Sequence, residues 1–312
     1  MKLLVTGALG QIGSELVIEL RKIYGESNVV TSDLKACDHS PHEVLDVCNK
    51  EQLVSVIKKH DIKVIYHLAA ILSATGEKNP NLCWDINVTG LHNILEAARE
   101  NQIKQIVCPS SIAVFGPETP KNDTPQQTVI LPKTMYGITK AAGELLCEYY
   151  VNKFNIDVRG LRYPGLISHK TLPGGGTTDY AVEIFYEAIK KKSYNCFLSA
   201  NTVLPMMYMP DAIRGTIELA ECDFAKLKNH SNFNFAGMSF SCTDLASEIT
   251  KHIPDFKVTY NPDFRQKIAD SWPSSIDDSE ARQQWGWKPN YTLATMTKEM
   301  LTELQKKLSK NA

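Results

Sequence analysis

An apolar segment, Leu3-Leu4-Val5-Thr6, runs into Gly7-Ala8-Leu9-Gly10-Gln11-Ile12-Gly13 and then into a helical pattern. Strand, three glycines spaced three apart, and helix, in that order, restrict the fold more than any other feature of the chain. The turn must be tight, backbone N–H groups must approach an anion with no Cβ in the way, and the helix must pack closely on the strand. The arrangement predicts a cradle for the pyrophosphate of a dinucleotide. A second apolar strand, Asn28-Val29-Val30-Thr31-Ser32, ends at Asp33, twenty residues beyond Gly13. A carboxylate at that point accepts hydrogen bonds from both ribose hydroxyls and repels a 2′-phosphate, so NAD is favoured over NADP. No arginine follows directly to reverse that preference.

The rest of the chain alternates. Glu51 to His60 reads as an amphipathic helix, Lys63 to Leu68 as a buried strand, 81–101 as a long helix, 104–109 as a strand, 134–154 as a helix and 157–163 as a strand. Parallel strands need helical crossovers, so this alternation predicts an α/β fold with a doubly wound parallel sheet of the Rossmann type. Ligands then collect at the carboxyl ends of the strands. From about residue 165 the punctuation changes, with Pro173-Gly174-Gly175-Gly176 and later prolines at 205, 210, 254, 262, 273 and 289 separating shorter elements. The expected division is a dinucleotide-binding domain over 1–165 and a smaller, mainly substrate-binding lobe over 166–312, some of whose segments return to the first domain.

With 312 residues, 43% hydrophobic and 22% charged, the chain can bury one large core or two smaller ones. A net charge of −1 offers no basic footprint for nucleic acid or an anionic membrane. No apolar run approaches the ~20 residues of a membrane span, which leaves small molecules as the expected partners. Eight cysteines lie scattered without a CxxC, several inside apolar runs, as reduced core thiols do. Met1-Lys2-Leu3 enters the first strand at once, so no signal or transit segment is expected. The expected location is the cytoplasm, a trimmed mitochondrial form being the alternative. His39-Ser40-Pro41-His42-Glu43 reads as a polar loop, and no metal is expected.

Chemistry concentrates in Tyr136-Gly137-Ile138-Thr139-Lys140, where tyrosine and lysine at i and i+4 share one helical face. A phenol with an ordinary pKa near ~10 is a poor base at neutral pH; the lysine ammonium and an oxidised nicotinamide favour its phenolate. Ser111 follows a strand in Cys108-Pro109-Ser110-Ser111-Ile112, where its hydroxyl can hold a substrate oxygen against Tyr136. In this order, behind a dinucleotide cradle, Ser111, Tyr136 and Lys140 form a candidate catalytic triad.

On these motifs the chain resembles the short-chain dehydrogenase/reductase superfamily in its extended, epimerase-like branch, over essentially its whole length. The resemblance implies cofactor contacts from Gly7, Gly10, Gln11, Ile12, Gly13, Asp33 and Leu34, and from the adenine-facing pair Asp46-Val47. It adds Leu68, Ala69 and Ala70 beneath the riboses, Asn87 at a helix start, Ser110, Tyr136 and Lys140. Tyr163, Pro164 and Ile167 are implied beside the nicotinamide amide. It also implies a homodimer built on the helices at 81–101 and 134–154.

Sugar-nucleotide members of the branch carry an arginine for the nucleotide phosphates where this chain has Leu204 in Leu204-Pro205-Met206-Met207-Tyr208. Pro164-Gly165-Leu166-Ile167-Ser168, Gly174-Gly175-Gly176-Thr177-Thr178-Asp179-Tyr180 and Asp270-Ser271-Trp272-Pro273 instead resemble the short-chain L-threonine 3-dehydrogenases. What that implies is NAD-dependent oxidation of the threonine C3 hydroxyl to 2-amino-3-oxobutanoate. A nucleotide-sugar epimerase or dehydratase is the rival within the fold, and a non-catalytic NAD sensor the rival outside it. Gly176, Thr177 and Thr178 at a helix start offer hydroxyls, free N–H groups and the positive end of a dipole, suited to one carboxylate. Ser73 is placed to help position substrate, Trp272 to wall the pocket, and Glu77 to face either solvent or a substrate ammonium.

Overall fold

The computed structural model describes residues 1–172 and 174–310; Pro173 of the glycine-rich loop lies outside the described residues. Six parallel strands form the main sheet: β1 (Lys2–Thr6), β2 (Val29–Asp33), β3 (His42–Val44), β4 (Ile62–His67), β5 (Gln105–Val107) and β6 (Asp157–Arg159). Their order is β3-β2-β1-β4-β5-β6, so the chain reverses direction across the sheet between β1 and β4. A crevice opens at such a switch point, outside the carboxyl ends of the strands.

Period-two alternation assigns the faces. Leu3 and Val5 of β1 pack with Leu16 and Leu20 of α1 (Gln11–Tyr24), and with Ile213, Phe235 and Trp287 from the second half of the chain. Leu4 points the other way, into a cluster with Leu53 of α2 (Lys50–His60), Ile94 of α3 (Gly90–Glu100) and Val151 of α4 (Met135–Phe154). Both faces of the sheet are covered, which is why its strands read as near-continuous apolar runs.

Four expectations change in detail. The strand expected over 157–163 is two strands, because the chain leaves the main sheet at Gly160. A Cβ there would lie 2.4 Å from the Cys108 carbonyl oxygen and 2.6 Å from that of Ser231. Beyond it, Leu161–Tyr163 pairs with Ser110–Ser111 on one side and Phe233–Asn234 on the other. The helix expected over 81–101 runs from Pro80 but contains a π-helical turn at Asp85–Thr89. Asn87 therefore lies inside a helix and not at its start. Finally, His42 to Val44 form the edge strand β3 instead of a loop, with the His42 ring bonded to the Thr31 hydroxyl at 2.9 Å.

Another small sheet joins Gly165–Ile167 to Val203–Tyr208, which pairs antiparallel with Met238–Ser241. Leu204 is wholly buried in this sheet, among Tyr180, Phe185 and Phe240. Among the described residues no helix is long and apolar enough to cross a membrane. No group of three or more His, Cys, Asp or Glu among them is placed to hold a metal ion.

Candidate active site

The glycine turn closes on itself by backbone contact. Gly7 has φ +66°, and a Cβ there would lie 2.7 Å from the Ala69 nitrogen. A Cβ on Gly13 would lie 2.3 Å from the Gly7 carbonyl oxygen, so α1 seats directly on the turn. The first turn of α1 carries neither a side-chain cap nor an acidic residue, which leaves its N–H groups and dipole for an external anion. Beside it, a cavity is lined by Gly7, Asp33, Leu34, Asp46, Val47, Ala69 and Ala70, together with Leu45, Ile71 and Ile86. The Asp33 carboxylate accepts the Leu9 N–H at 3.1 Å, and the Asp46 carboxylate that of Cys48 at 2.9 Å. These residues fit a dinucleotide: a donor-rich helix start for phosphate, a carboxylate for ribose and an apolar slot for adenine.

A second cleft continues from the first along the carboxyl ends of β1 and β4. It is lined by Gln11, Ile12, Leu68, Ala70, Ser73, Ser110, Ser111, Tyr136, Lys140, Tyr163, Pro164, Gly176, Thr177, Thr178 and Trp272. Tyr136 and Lys140 sit in the first turns of α4, preceded by its N-cap Thr134, whose hydroxyl accepts the Gly137 N–H at 3.1 Å. A Cβ at Gly137 would lie 2.2 Å from the Ala113 carbonyl oxygen; glycine thus lets the tyrosine helix close on the turn that follows Ser111. The Lys140 ammonium donates to the Pro109 carbonyl at 2.9 Å and lies 5.8 Å from the centre of the Tyr136 ring. Ser111 accepts the Ala113 N–H at 3.2 Å, which leaves its own proton for an oxygen in the cleft.

The Ser110 hydroxyl is committed elsewhere, donating at 2.6 Å to buried Glu144. Ile167 is a correction: it is fully buried in the core, and its neighbours Gly165 and Leu166 line the cleft instead, because successive side chains of a strand face opposite ways. The Asn87 side chain bridges the Ile71 backbone (2.8 and 3.1 Å) to the Thr139 hydroxyl (3.0 Å), tying the loop after β4 to the tyrosine helix.

The glycine-rich loop also departs from expectation. Its N–H groups are not free: the Asp179 carboxylate accepts those of Gly175 and Gly176 at 2.8 and 2.7 Å, and Ser73 Oγ accepts that of Thr177 at 3.3 Å. What the loop presents to the cleft is therefore hydroxyls, with Thr177 Oγ1 3.2 Å from Ser73 Oγ. Glu77 is exposed and does not line the cleft; its carboxylate accepts the Met135 N–H at 2.6 Å and so caps α4 from outside. Sequence reasoning missed the lining residues His67, Leu72, Pro109, Ile112, Gly165, Leu166 and Asp179. The alternation of Gly165-Leu166-Ile167 held the signal for Leu166, whereas nothing local marks Asp179.

His67 closes β4 and is buried, its Nδ1 2.9 Å from the Thr6 hydroxyl. Burial, reinforced by the charge of Lys140, pushes its ionisation down to about 3. Below its ordinary value near 6.5 the unfolded chain takes up a proton that the folded chain refuses. Stability is therefore lost as pH falls through that range, and the sign is destabilising toward acid. His67→Asn should remove this contribution, so that its urea-unfolding free energy falls by about 2 kcal/mol less than wild type between pH 7 and pH 5. Equal losses in both proteins would mean His67 titrates normally.

A family model described as the NAD dependent epimerase/dehydratase family matches residues 3–234. An uncharacterised epimerase/dehydratase of Staphylococcus haemolyticus is 49% identical over 313 residues, covering 98% of each chain. The solved L-threonine dehydrogenase of Clostridium difficile is 50% identical with a TM-score of 0.96, over 98% of each chain. A monomeric L-threonine 3-dehydrogenase from a metagenome is 51% identical with a TM-score of 0.95, over 97% of this chain and 99% of that one. A dinucleotide cradle, the Ser111, Tyr136 and Lys140 cleft and these likenesses lead to one assignment: the chain belongs to the NAD dependent epimerase/dehydratase family.

Proposed function

We propose that this protein is an NAD-dependent L-threonine 3-dehydrogenase that converts its substrate to 2-amino-3-oxobutanoate. The observation that carries this reading is the lining of the cleft beside Tyr136. It offers the hydroxyls of Ser73, Thr177 and Thr178 and one carboxylate, with no arginine among the described lining residues, while Leu204 is buried in the core. Such a lining suits a small zwitterion and gives a nucleoside diphosphate no guanidinium, its one lysine, Lys140, being held on the Pro109 carbonyl.

NAD bound in the cradle supplies the hydride acceptor. The Tyr136 oxygen takes the proton of the C3 hydroxyl, and Lys140, fixed on the Pro109 carbonyl, keeps a positive charge beside that phenol. Ser111 donates its hydroxyl proton to the same substrate oxygen and so fixes its position. Ser73, Thr177 and Thr178 receive the substrate carboxylate through their hydroxyls. The test is NADH formation with L-threonine, set against UDP-glucose and UDP-galactose. Turnover of a sugar nucleotide and none of threonine would reverse the assignment.

Cofactor choice belongs to the same reading. With Asp33 in the ribose cavity, NAD should exceed NADP by at least ~10-fold in kcat/KM, and Asp33→Ala should narrow that gap. Equal use of the two by the unaltered enzyme would remove Asp33 from this role. The reading places the cofactor lobe at 1–165 and the substrate lobe at 166–312, with Ile213, Phe235 and Trp287 packed back on the first domain in its support. It also includes a homodimer and a cytoplasmic location. The exposed apolar side chains of Trp84, Ile138, Leu145 and Tyr149 on the two helical stretches support the former, and eight free cysteines the latter. A sedimentation mass of one chain would overturn the dimer.

A further inference from the structure

A zwitterionic substrate brings a cation as well as an anion into the cleft, and the cation needs a partner there. Among the described residues that line the cleft, Asp179 is the one carboxylate. Its two oxygens have different surroundings. Oδ2 accepts the N–H groups of Gly175 and Gly176, which fixes the plane of the carboxylate. Oδ1 has no hydrogen-bond partner among the described residues, and a Cβ on Gly176 would lie 2.9 Å from it, so glycine at 176 leaves that oxygen open. The nearby cations are held elsewhere. Lys140 is bound to the Pro109 carbonyl, and Arg265 pairs with Asp263 at 2.7 Å while stacking on Phe197.

We propose that Asp179 Oδ1 receives the α-ammonium group of the substrate and thereby selects 2-amino-3-hydroxy acids over 3-hydroxy acids that lack the amine. This rests on the threonine reading and names the group that the hydroxyls of the cleft leave without a counter-charge. Two features make Asp179 suited to it. Two backbone donors hold the carboxylate in place before substrate arrives, so little ordering remains to be done on binding. Burial, moreover, holds its carboxyl above the usual carboxylate range, the mark of an acid that lacks a matched cation. An ammonium on Oδ1 meets that lack with a charge-assisted hydrogen bond.

Asp179→Asn removes the charge yet keeps an oxygen that can accept from Gly175 and Gly176. Steady-state rates with L-threonine and with (R)-3-hydroxybutanoate give the decisive ratio. Wild type should favour threonine by at least ~100-fold in kcat/KM, and the variant should bring that ratio to within ~10-fold of unity. If both substrates lose rate in proportion and the ratio stands, Asp179 only caps the loop and the proposal fails. For a variant that does not fold, competition in the wild-type enzyme decides. Inhibition of threonine oxidation by (R)-3-hydroxybutanoate should require at least ~100 times the threonine KM, and comparable constants would overturn the proposal. Threonine oxidation with an indifferent Asp179→Asn removes this inference alone. Absence of threonine oxidation by the unaltered protein removes it together with the reading beneath it.

Discussion

Tyr136→Phe should lower turnover of L-threonine by roughly 10²-fold or more while affinity for NAD holds. Tyr136 is buried and belongs to the core cluster that also holds Cys83, Ile112 and Ile167, and phenylalanine keeps that packing. Only the oxygen leaves, and with it the group proposed to accept the substrate proton. The cradle at Gly7 to Gly13 is built by another part of the chain, so an NAD titration followed by protein fluorescence should show that the variant still binds NAD. Near-wild-type turnover in the variant would make Tyr136 a packing residue and send the search for the base elsewhere in the cleft.

Glu144→Ala should cost about 3–5 kcal/mol of folding stability, the largest effect we expect from a residue that touches no substrate. Arg162 is 1% exposed and Glu144 6%. The guanidinium donates to both carboxylate oxygens at 2.9 and 2.8 Å, and its remaining bonds, to the Gln126 carbonyl and Asn234 Oδ1, are both 3.1 Å. Alanine leaves a charge stranded in a place water does not reach. Ser110 loses its acceptor at the same time, next to Ser111. Urea unfolding at neutral pH measures the cost, and a loss below ~1 kcal/mol would show that neighbouring carbonyls suffice for the guanidinium.

The parts of the fold that depend on neighbours in the chain were legible from the residues. The glycine turn, the order of strands and helices, and Tyr136 with Lys140 on one helical face all rest on local spacing. What escaped depends on distant partners. Gly160 sits in an apolar run that reads as one strand, and only the carbonyls of Cys108 and Ser231 force the chain out of the sheet there. Glu77 caps a helix that starts 58 residues later, a pairing no local pattern announces. Asp179 has no role of its own in the sequence pattern, because only the fold shows its carboxylate turned back on Gly175 and Gly176. The Ile167 assignment failed by a single residue, and in a strand one residue is a change of face.

The departure of the chain at Gly160 divides the site between two hydrogen-bonded frameworks. The cofactor cradle belongs to the six-stranded sheet, whereas Ser111 and Tyr163 are register partners in a separate three-stranded one. Inheritance can therefore act on them independently. On the proposed reading, substitutions that tilt or shift the small sheet would move Ser111 and Tyr163 while the glycine turn at Gly7 to Gly13 keeps its place.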